Sequence, residues 1–183
     1  MTKLSFHEVD QRRWADFERL FESRGGPGYC WCMAWRAKGA EAKQKGAARK
    51  AAIKRRVDMA VPIGLLGYLD DEPVAWCSIA PRSTYRPLGG AEIAGEHPED
   101  VWSLACFFIR RDLRGQDLVP QLIEAAVKQA RRRGAKVLEA YPVAPGSPSY
   151  RFMGYVPAFE AAGFEMIGRA GSRRYVMRRK LRR

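Results

Sequence analysis

The spacing of apolar residues changes several times along this chain, and each change marks an element. Behind Asp10, a residue suited to capping a first turn, Trp14, Phe17, Leu20 and Phe21 recur at helical spacing as far as Glu22. That pattern predicts an amphipathic helix, ended by the stretch from Arg24 to Gly28. Residues 43–56 are rich in helix formers and predict a second, strongly cationic helix. Val61 to Tyr68 and Pro73 to Ala80 are short apolar runs joined by Leu-Asp-Asp-Glu, the pattern of a β-hairpin turning at Asp70 and Asp71. Pro81 to Asp100 has no period and reads as an irregular loop.

Val101 to Ile109 is nearly all apolar and closed by charge, which predicts a strand buried on both faces. From Leu118 to Arg133, Leu118, Leu122, Ile123, Ala126, Val127 and Ala130 share one helical face, and Gly134 is placed to end the helix. Lys136 to Tyr141 is again strand-like, so residues 101–141 form a strand, helix, strand unit with parallel strands and a right-handed crossover. Pro157 to Ala162 predicts a short helix, and Tyr175 to Met177 a last short strand within a basic tail. These elements predict a single α/β domain with a central mixed sheet, antiparallel hairpin strands running into a parallel pair, and helices on both faces.

With 183 residues, 46% hydrophobic and 29% charged, the chain has the size of one domain and is too apolar to be disordered. It has no signal-peptide pattern and no apolar run of ~18 residues, so a cytosolic protein that spans no membrane is expected. Cys30, Cys32, Cys77 and Cys106 are then expected as reduced thiols. Charge changes the picture more. Lys and Arg number 33 against 20 Asp and Glu, a net +13. Residues 43–56 and 173–183 each contribute seven basic residues and no acid, leaving 19 basic and 20 acidic residues elsewhere. A cationic helix and a cationic tail suit an acidic substrate or RNA, although two solvated basic segments are the plainer explanation.

Candidate chemistry lies between the central strand and its helix, in Arg110-Arg-Asp-Leu-Arg-Gly-Gln-Asp-Leu-Val119. A turn leading straight into a helix aims unpaired backbone N–H groups and the positive dipole end at one point, which suits a pyrophosphate. Arg110, Arg111 and Arg114 add charge there, and the alternative is a polar connection with solvated arginines. The whole unit resembles the GNAT superfamily of N-acetyltransferases, in which a central strand leads into a loop of the form Gln/Arg-x-x-Gly-x-Gly/Ala. Here the loop is Asp112-Leu-Arg-Gly-Gln-Asp117. Leu118-Val-Pro-Gln-Leu-Ile-Glu-Ala-Ala-Val127, Gly134-Ala-Lys-Val-Leu-Glu-Ala-Tyr141 and Ala158-Phe-Glu-Ala-Ala-Gly-Phe164 extend the likeness, which runs from residue 61 to 168.

The resemblance implies acetyl-CoA in a cleft where the two parallel strands splay apart. Backbone groups of Phe107, Phe108 and Ile109 would pair with the pantetheine arm, and N–H groups over Arg114, Gly115, Gln116, Asp117, Leu118 and Val119 would cradle the pyrophosphate. The acetyl group would pass directly to a bound amine, which is mostly protonated at neutral pH and so needs a base or proton path. The chain would divide into a helical acceptor-site region (1–60), a core with the cofactor site (61–168) and a basic C-terminal segment (169–183).

Three positions depart from the family pattern. Asp112 replaces Gln or Arg, and Asp117 replaces the second small residue. Asp117 would oppose the ligand's charge unless it caps the helix, which is the preferred reading. Phe159 stands where many members carry the tyrosine that protonates the departing thiolate, so Tyr155 is the candidate acid. Glu139 is the candidate base, because a charge inside a strand must reach either a cleft or an ion-pair partner. His97, in a surface loop, is a further candidate. Tyr29-Cys-Trp-Cys-Met-Ala-Trp-Arg36 would help wall the acceptor site, making Tyr29, Trp31, Trp35 and Arg36 candidate substrate contacts, with core packing the alternative for Trp31. Cys30 and Cys32 lack a second close cysteine pair, so no metal is expected. The expected activity is acetyl-CoA-dependent N-acetylation of an amine, and the alternative is a catalytically degenerate module binding CoA or RNA.

Overall fold

In the computed structural model, which describes residues 2–181, seven strands form one sheet. They are β1 (Ser5–Glu8), β2 (Leu65–Leu69), β3 (Glu72–Pro81), β4 (Val101–Ile109), β5 (Val137–Ala140), β6 (Glu165–Ala170) and β7 (Arg174–Lys180), in the spatial order β1-β2-β3-β4-β5-β7-β6. The β4 and β5 pair is parallel, and its neighbours run antiparallel. Four helices complete the fold: α1 (Trp14–Glu22), α2 (Gly46–Asp58), α3 (Leu118–Arg132) and α4 (Val156–Ala161). Consecutive strand residues point to opposite faces, so Leu65 and Cys77 join a core with α3 and α4 while Leu66 and Trp76 join a second core with α1 and α2.

Local chemistry explains the elements. The Asp10 carboxylate accepts from the Arg13 N–H at 3.0 Å and caps a 3-10 turn that continues into α1. Phe17, Leu20 and Phe21 of α1 are buried against Trp31 and Trp76, each large side chain contributing roughly 2–3 kcal/mol by leaving water. Asp70 and Asp71 have φ of 46° and 65°, the paired left-handed residues of a tight hairpin turn. The apolar face expected of α3 is buried throughout, and Gly134, at φ 86°, ends the helix.

At the C-terminus the structure departs from the expectation of a short strand in a tail. β6 and β7 form a hairpin whose β7 lies between β5 and β6, so the described part of 169–183 belongs to the sheet. Glu165 to Arg169 are all exposed, which is why no alternating apolar pattern announced β6. Many of the clustered basic residues also have partners. Lys50 meets Glu18 and Glu22 at 2.5 Å, Arg55 and Arg56 meet Glu41, Lys54 meets Asp58, and Arg179 meets Glu124. Arg182 and Arg183 lie outside the described residues. Among the described residues no helix is long and apolar enough to cross a membrane.

What positions the site is a mismatch of strand lengths. β4 pairs with β5 only over Val101–Leu104, because β5 ends at Ala140 while β4 continues to Ile109. On its other side, β4 pairs Leu104 with Ile79 and Cys106 with Ser78, so Ala105 is an extra residue in the ladder and bends the strand there. The edge of β4 from Ala105 to Ile109 that would face β5 is left without a strand.

Candidate functional site

A cavity of about 740 Å³ opens along that free edge. Its lining combines Ala105–Ile109 of β4, Arg114 and Asp117 of the following loop, the start of α3, the loop from Gly25 to Arg36, and the segment from Arg151 to Ala158.

At one end the loop before α3 is pinned by two buried side chains, Leu113 and Leu118, and turns through Gly115 at φ +81° and Asp117 at φ 57°. Among the described residues no protein acceptor takes the N–H groups of residues 115–119. These free donors, the positive end of a 15-residue helix and a glycine at positive φ fit an anionic pyrophosphate. Asp117 makes no side-chain cap bond, so the expected capping role is corrected: its left-handed backbone carries the chain into the helix, and its carboxylate lines the cavity. The three loop arginines also separate. Arg114 lines the cavity, its Nε donating to the Ile109 carbonyl at 3.0 Å and its guanidinium 5.9 Å from the Phe108 ring. Arg110 instead chelates Asp112 through bonds of 2.8 and 2.9 Å, holding that exposed carboxyl below its usual range, and neither Arg110 nor Arg111 lines the cavity. The Gln116 amide oxygen accepts from the Thr2 hydroxyl.

At the other end, Tyr29 is 78% exposed on the rim and Trp35 lies between the Arg86 and Arg174 guanidiniums, 4.5 and 4.7 Å from its ring. Tyr155, the residue before α4, is half-exposed and lines the cavity, whereas Phe159 is buried against Phe107 and Phe164. Trp31 turns away and packs on Phe21 at 5.5 Å in the core. His97 sits at the start of a 3-10 turn outside the cavity, its Nδ1 accepting from the Glu99 N–H.

Glu139 does not line the cavity. It is fully buried, and its carboxylate accepts from Arg178 Nε at 2.6 Å, the Tyr141 hydroxyl at 2.7 Å, the Ala91 N–H at 3.2 Å and Arg82 at 3.4 Å. Arg178 also reaches Glu96 at 2.6 Å. Burial, and then the Glu139 charge, push the Tyr141 phenol well above its ordinary range. The strand charge thus reaches an ion-pair partner rather than the cleft.

The cavity lining also contains Cys32 from the 25–36 loop and Cys106 from β4, two of the expected reduced thiols, and two groups the sequence did not single out, Trp76 and Ser78 from β3. Cys32 Sγ accepts from Arg36 Nη1 at 3.3 Å and Trp76 Nε1 at 3.4 Å. The neighbouring Cys106 thiol, then the Arg36 charge, draw the Cys32 thiol below its usual range, while burial pushes Cys30 up to about 11. Cys-x-Cys spacing with an arginine four residues on was the only local signal, because Trp76 and Cys106 arrive from strands far along the chain.

The profile of the Acetyltransferase (GNAT) family matches residues 9–155, most of the chain. No match is found among curated proteins. Solved structures share the fold at low identity. The structure of yncA from Salmonella typhimurium with its cofactor acetyl-CoA aligns with TM-score 0.59 and 14% identity, covering 98% of this chain and 94% of that one. A ribosomal-protein-alanine N-acetyltransferase from Brucella melitensis aligns with TM-score 0.59 and 18% identity over 97% of this chain and all of that one. An aminoglycoside acetyltransferase in complex with coenzyme A aligns with TM-score 0.60 and 14% identity over 97% of this chain and 95% of that one.

Proposed function

This chain belongs to the acetyltransferase (GNAT) family, and from that premise we propose that it is an acetyl-CoA-dependent N-acetyltransferase acting on a primary amine. The observation that carries this reading is one cavity that joins the free N–H cradle before α3 to the unpaired edge of β4. Acetyl-CoA supplies an acetyl thioester when bound. The N–H groups of residues 115–119 with Arg114 would hold its pyrophosphate, and the backbone of Phe107, Phe108 and Ile109 its pantetheine arm. Tyr155, which lines the cavity, would give a proton to the departing thiolate, and Tyr29, Trp35 and Arg36, in the same lining, would wall the acceptor side. Glu139, enclosed by its own donors, takes no part in this reading. Arg86, Arg174 and Arg151 around the acceptor mouth support an acidic acceptor.

The test is calorimetry with acetyl-CoA, followed by release of free CoA thiol with amines that do or do not carry an acidic group. Binding and acceptor-dependent release are expected, faster for the acidic amines. Tyr155→Phe should lower turnover about 100-fold with acetyl-CoA affinity unchanged. Binding without release from any amine would replace this reading by a non-catalytic CoA module. RNA binding that weakens steeply with salt would give that module its partner.

A further inference from the structure

Several basic residues of α2 are matched by Glu18, Glu22 and Glu41, but those at the mouth of the cavity are not matched in this way. Four arginines gather there: Arg86 from the loop after β3, Arg151 from the segment before α4, and Arg173 and Arg174 where β7 begins. Among the described residues no Asp or Glu pairs with any of them. Each is held by neutral groups instead. Arg174 donates to the Leu88 carbonyl at 2.7 Å, Arg151 to the Ser147 carbonyl at 2.8 Å and Arg173 to the Ser149 hydroxyl at 2.8 Å, while the Arg86 guanidinium lies 4.5 Å from the centre of the Trp35 ring. A guanidinium presents a planar fork of several N–H groups, so most of these donors are left for an anion. Like charges also crowd here. Arg86 and Arg174 share the Trp35 ring, and burial, with the Arg86 charge added, draws the Arg174 guanidinium below its ordinary range. A bound anion relieves that repulsion.

Rings are set among these cations. Tyr150 lies 6.3 Å from Trp35 and 6.3 Å from Phe152, and the Arg174 guanidinium is 5.4 Å from the Tyr150 ring. Tyr150 is 37% exposed and Phe152 43%, and Tyr150 is held at φ 59°. Left-handed backbone at a bulky residue persists only where its surroundings enforce it, and it clusters at functional sites. Trp35, Arg151 and Phe152 also line the cavity, so the patch runs from the surface into its acceptor end. The carboxylates of a peptide would use the arginines and leave the rings idle. A phosphodiester strand uses both, since phosphates take guanidiniums and every unpaired base has a flat face to stack on a ring.

We propose that this patch holds a single-stranded nucleic acid and that the acceptor amine is carried at the end of the strand. The proposal rests on the acetyl-CoA reading above and gives that reading its acceptor. Phosphates lie on Arg86, Arg173 and Arg174, bases stack on Tyr150 and Phe152, and the terminal amine enters the cavity past Trp35. The transfer is then direct. The amine nitrogen bonds to the acetyl carbon, the bond from that carbon to the CoA sulfur breaks, and the sulfur leaves with the electron pair and takes the Tyr155 proton. The proton lost by the amine restores Tyr155 through solvent. A duplex does not fit, because its bases are stacked on one another and offer the rings no face.

The experiment presents one primary amine in several settings: at the end of a short single-stranded RNA, on a mononucleotide, at the end of the same RNA annealed to its complement, and on a peptide of Asp and Glu with matched charge. Release of CoA thiol gives kcat/KM for each, with calorimetry of acetyl-CoA in parallel. The single-strand amine should exceed the peptide amine by about 100-fold, the effect of about two stacked bases. Its KM should rise steeply with salt, and Arg86→Gln should flatten the logarithmic slope by about 0.7, the loss of one phosphate contact. A merely structural role for Arg86 would leave that slope unchanged, which overturns the part given to it. Phe152→Ala should raise KM about 10-fold for the strand amine. A peptide, mononucleotide or duplex amine acetylated as well as the single strand overturns the proposal and leaves the acetyltransferase reading standing. So does a single strand that binds without being acetylated while the peptide amine is acetylated. No release from any amine overturns both. The wild-type comparison decides the matter even if a variant fails to fold.

Discussion

Two arginines are buried among the described residues, and they are balanced in opposite ways. Arg178, on β7, meets two carboxylates, Glu139 and Glu96, in a cluster completed by Arg82, Tyr141 and the Ala91 N–H. Arg36, on the cavity floor, meets carbonyls, a phenol and a sulfur. In the first cluster charge is matched by charge and closed off from the cavity, and it ties β5 and β7 to the loop after β3. In the second no Asp or Glu among the described residues reaches the guanidinium, which is held by the Cys32 and Ile63 carbonyls, the Tyr85 hydroxyl and Cys32 Sγ. Removing one partner of the first leaves a bare buried charge, whereas removing the cation of the second leaves carbonyls and a hydroxyl without a donor.

The largest expected effect breaks the first cluster. Glu139→Ala leaves Arg178 buried without its more deeply buried carboxylate and should cost about 3–5 kcal/mol in denaturant unfolding, much of it recovered when Arg178→Met is added. A wild-type unfolding midpoint with activity abolished would instead make Glu139 a catalytic base and collapse the distinction between the clusters. A smaller loss is expected at the second. Arg36→Met strands no carboxylate, so the loss is about 1–3 kcal/mol, for carbonyls left without a donor. The same change removes a positive charge beside the Cys32 sulfur, so alkylation of Cys32 by iodoacetamide at neutral pH should slow. Unchanged alkylation would mean that the Arg36 charge does not act on this sulfur. The smallest effect concerns Asp117, the one carboxylate lining the cavity among the described residues. Asp117→Gly suits the left-handed backbone and removes a negative charge, so acetyl-CoA should bind about 5-fold more tightly, worth about 1 kcal/mol, with the gain shrinking as salt is added. Weaker binding in calorimetry would show that the carboxylate serves the site rather than opposing it.

Much of the scaffold was legible because its signals are local. The apolar face of α3, the nine apolar residues of β4 and the Asp-Asp turn each fall within a window of a few residues, and each appears where its pattern placed it. β6 was not legible, since an exposed edge strand needs no apolar face. The candidate site was legible in outline: Phe107, Phe108, Ile109, Arg114, Asp117, Val119, Tyr29, Trp35, Arg36 and Tyr155 all line one cavity. Gly115, Gln116 and Leu118 do not line it, nor do Trp31 and Glu139, and for the last two the side chain alone could not say whether it would find a core, an ion pair or a cleft.

The sequence by itself determined the order of strands and helices around the loop before α3, for which short-range period and turn chemistry suffice. The likeness of that loop and its flanking segments pointed to the family. Only the tertiary structure decided which charges are spent on one another. Glu139 meets an arginine 39 residues further along, the basic helix meets Glu18, Glu22 and Glu41, and Cys32 meets a tryptophan from β3. The energy of a charge depends on burial and on what lies within a few ångströms, and the fold sets both.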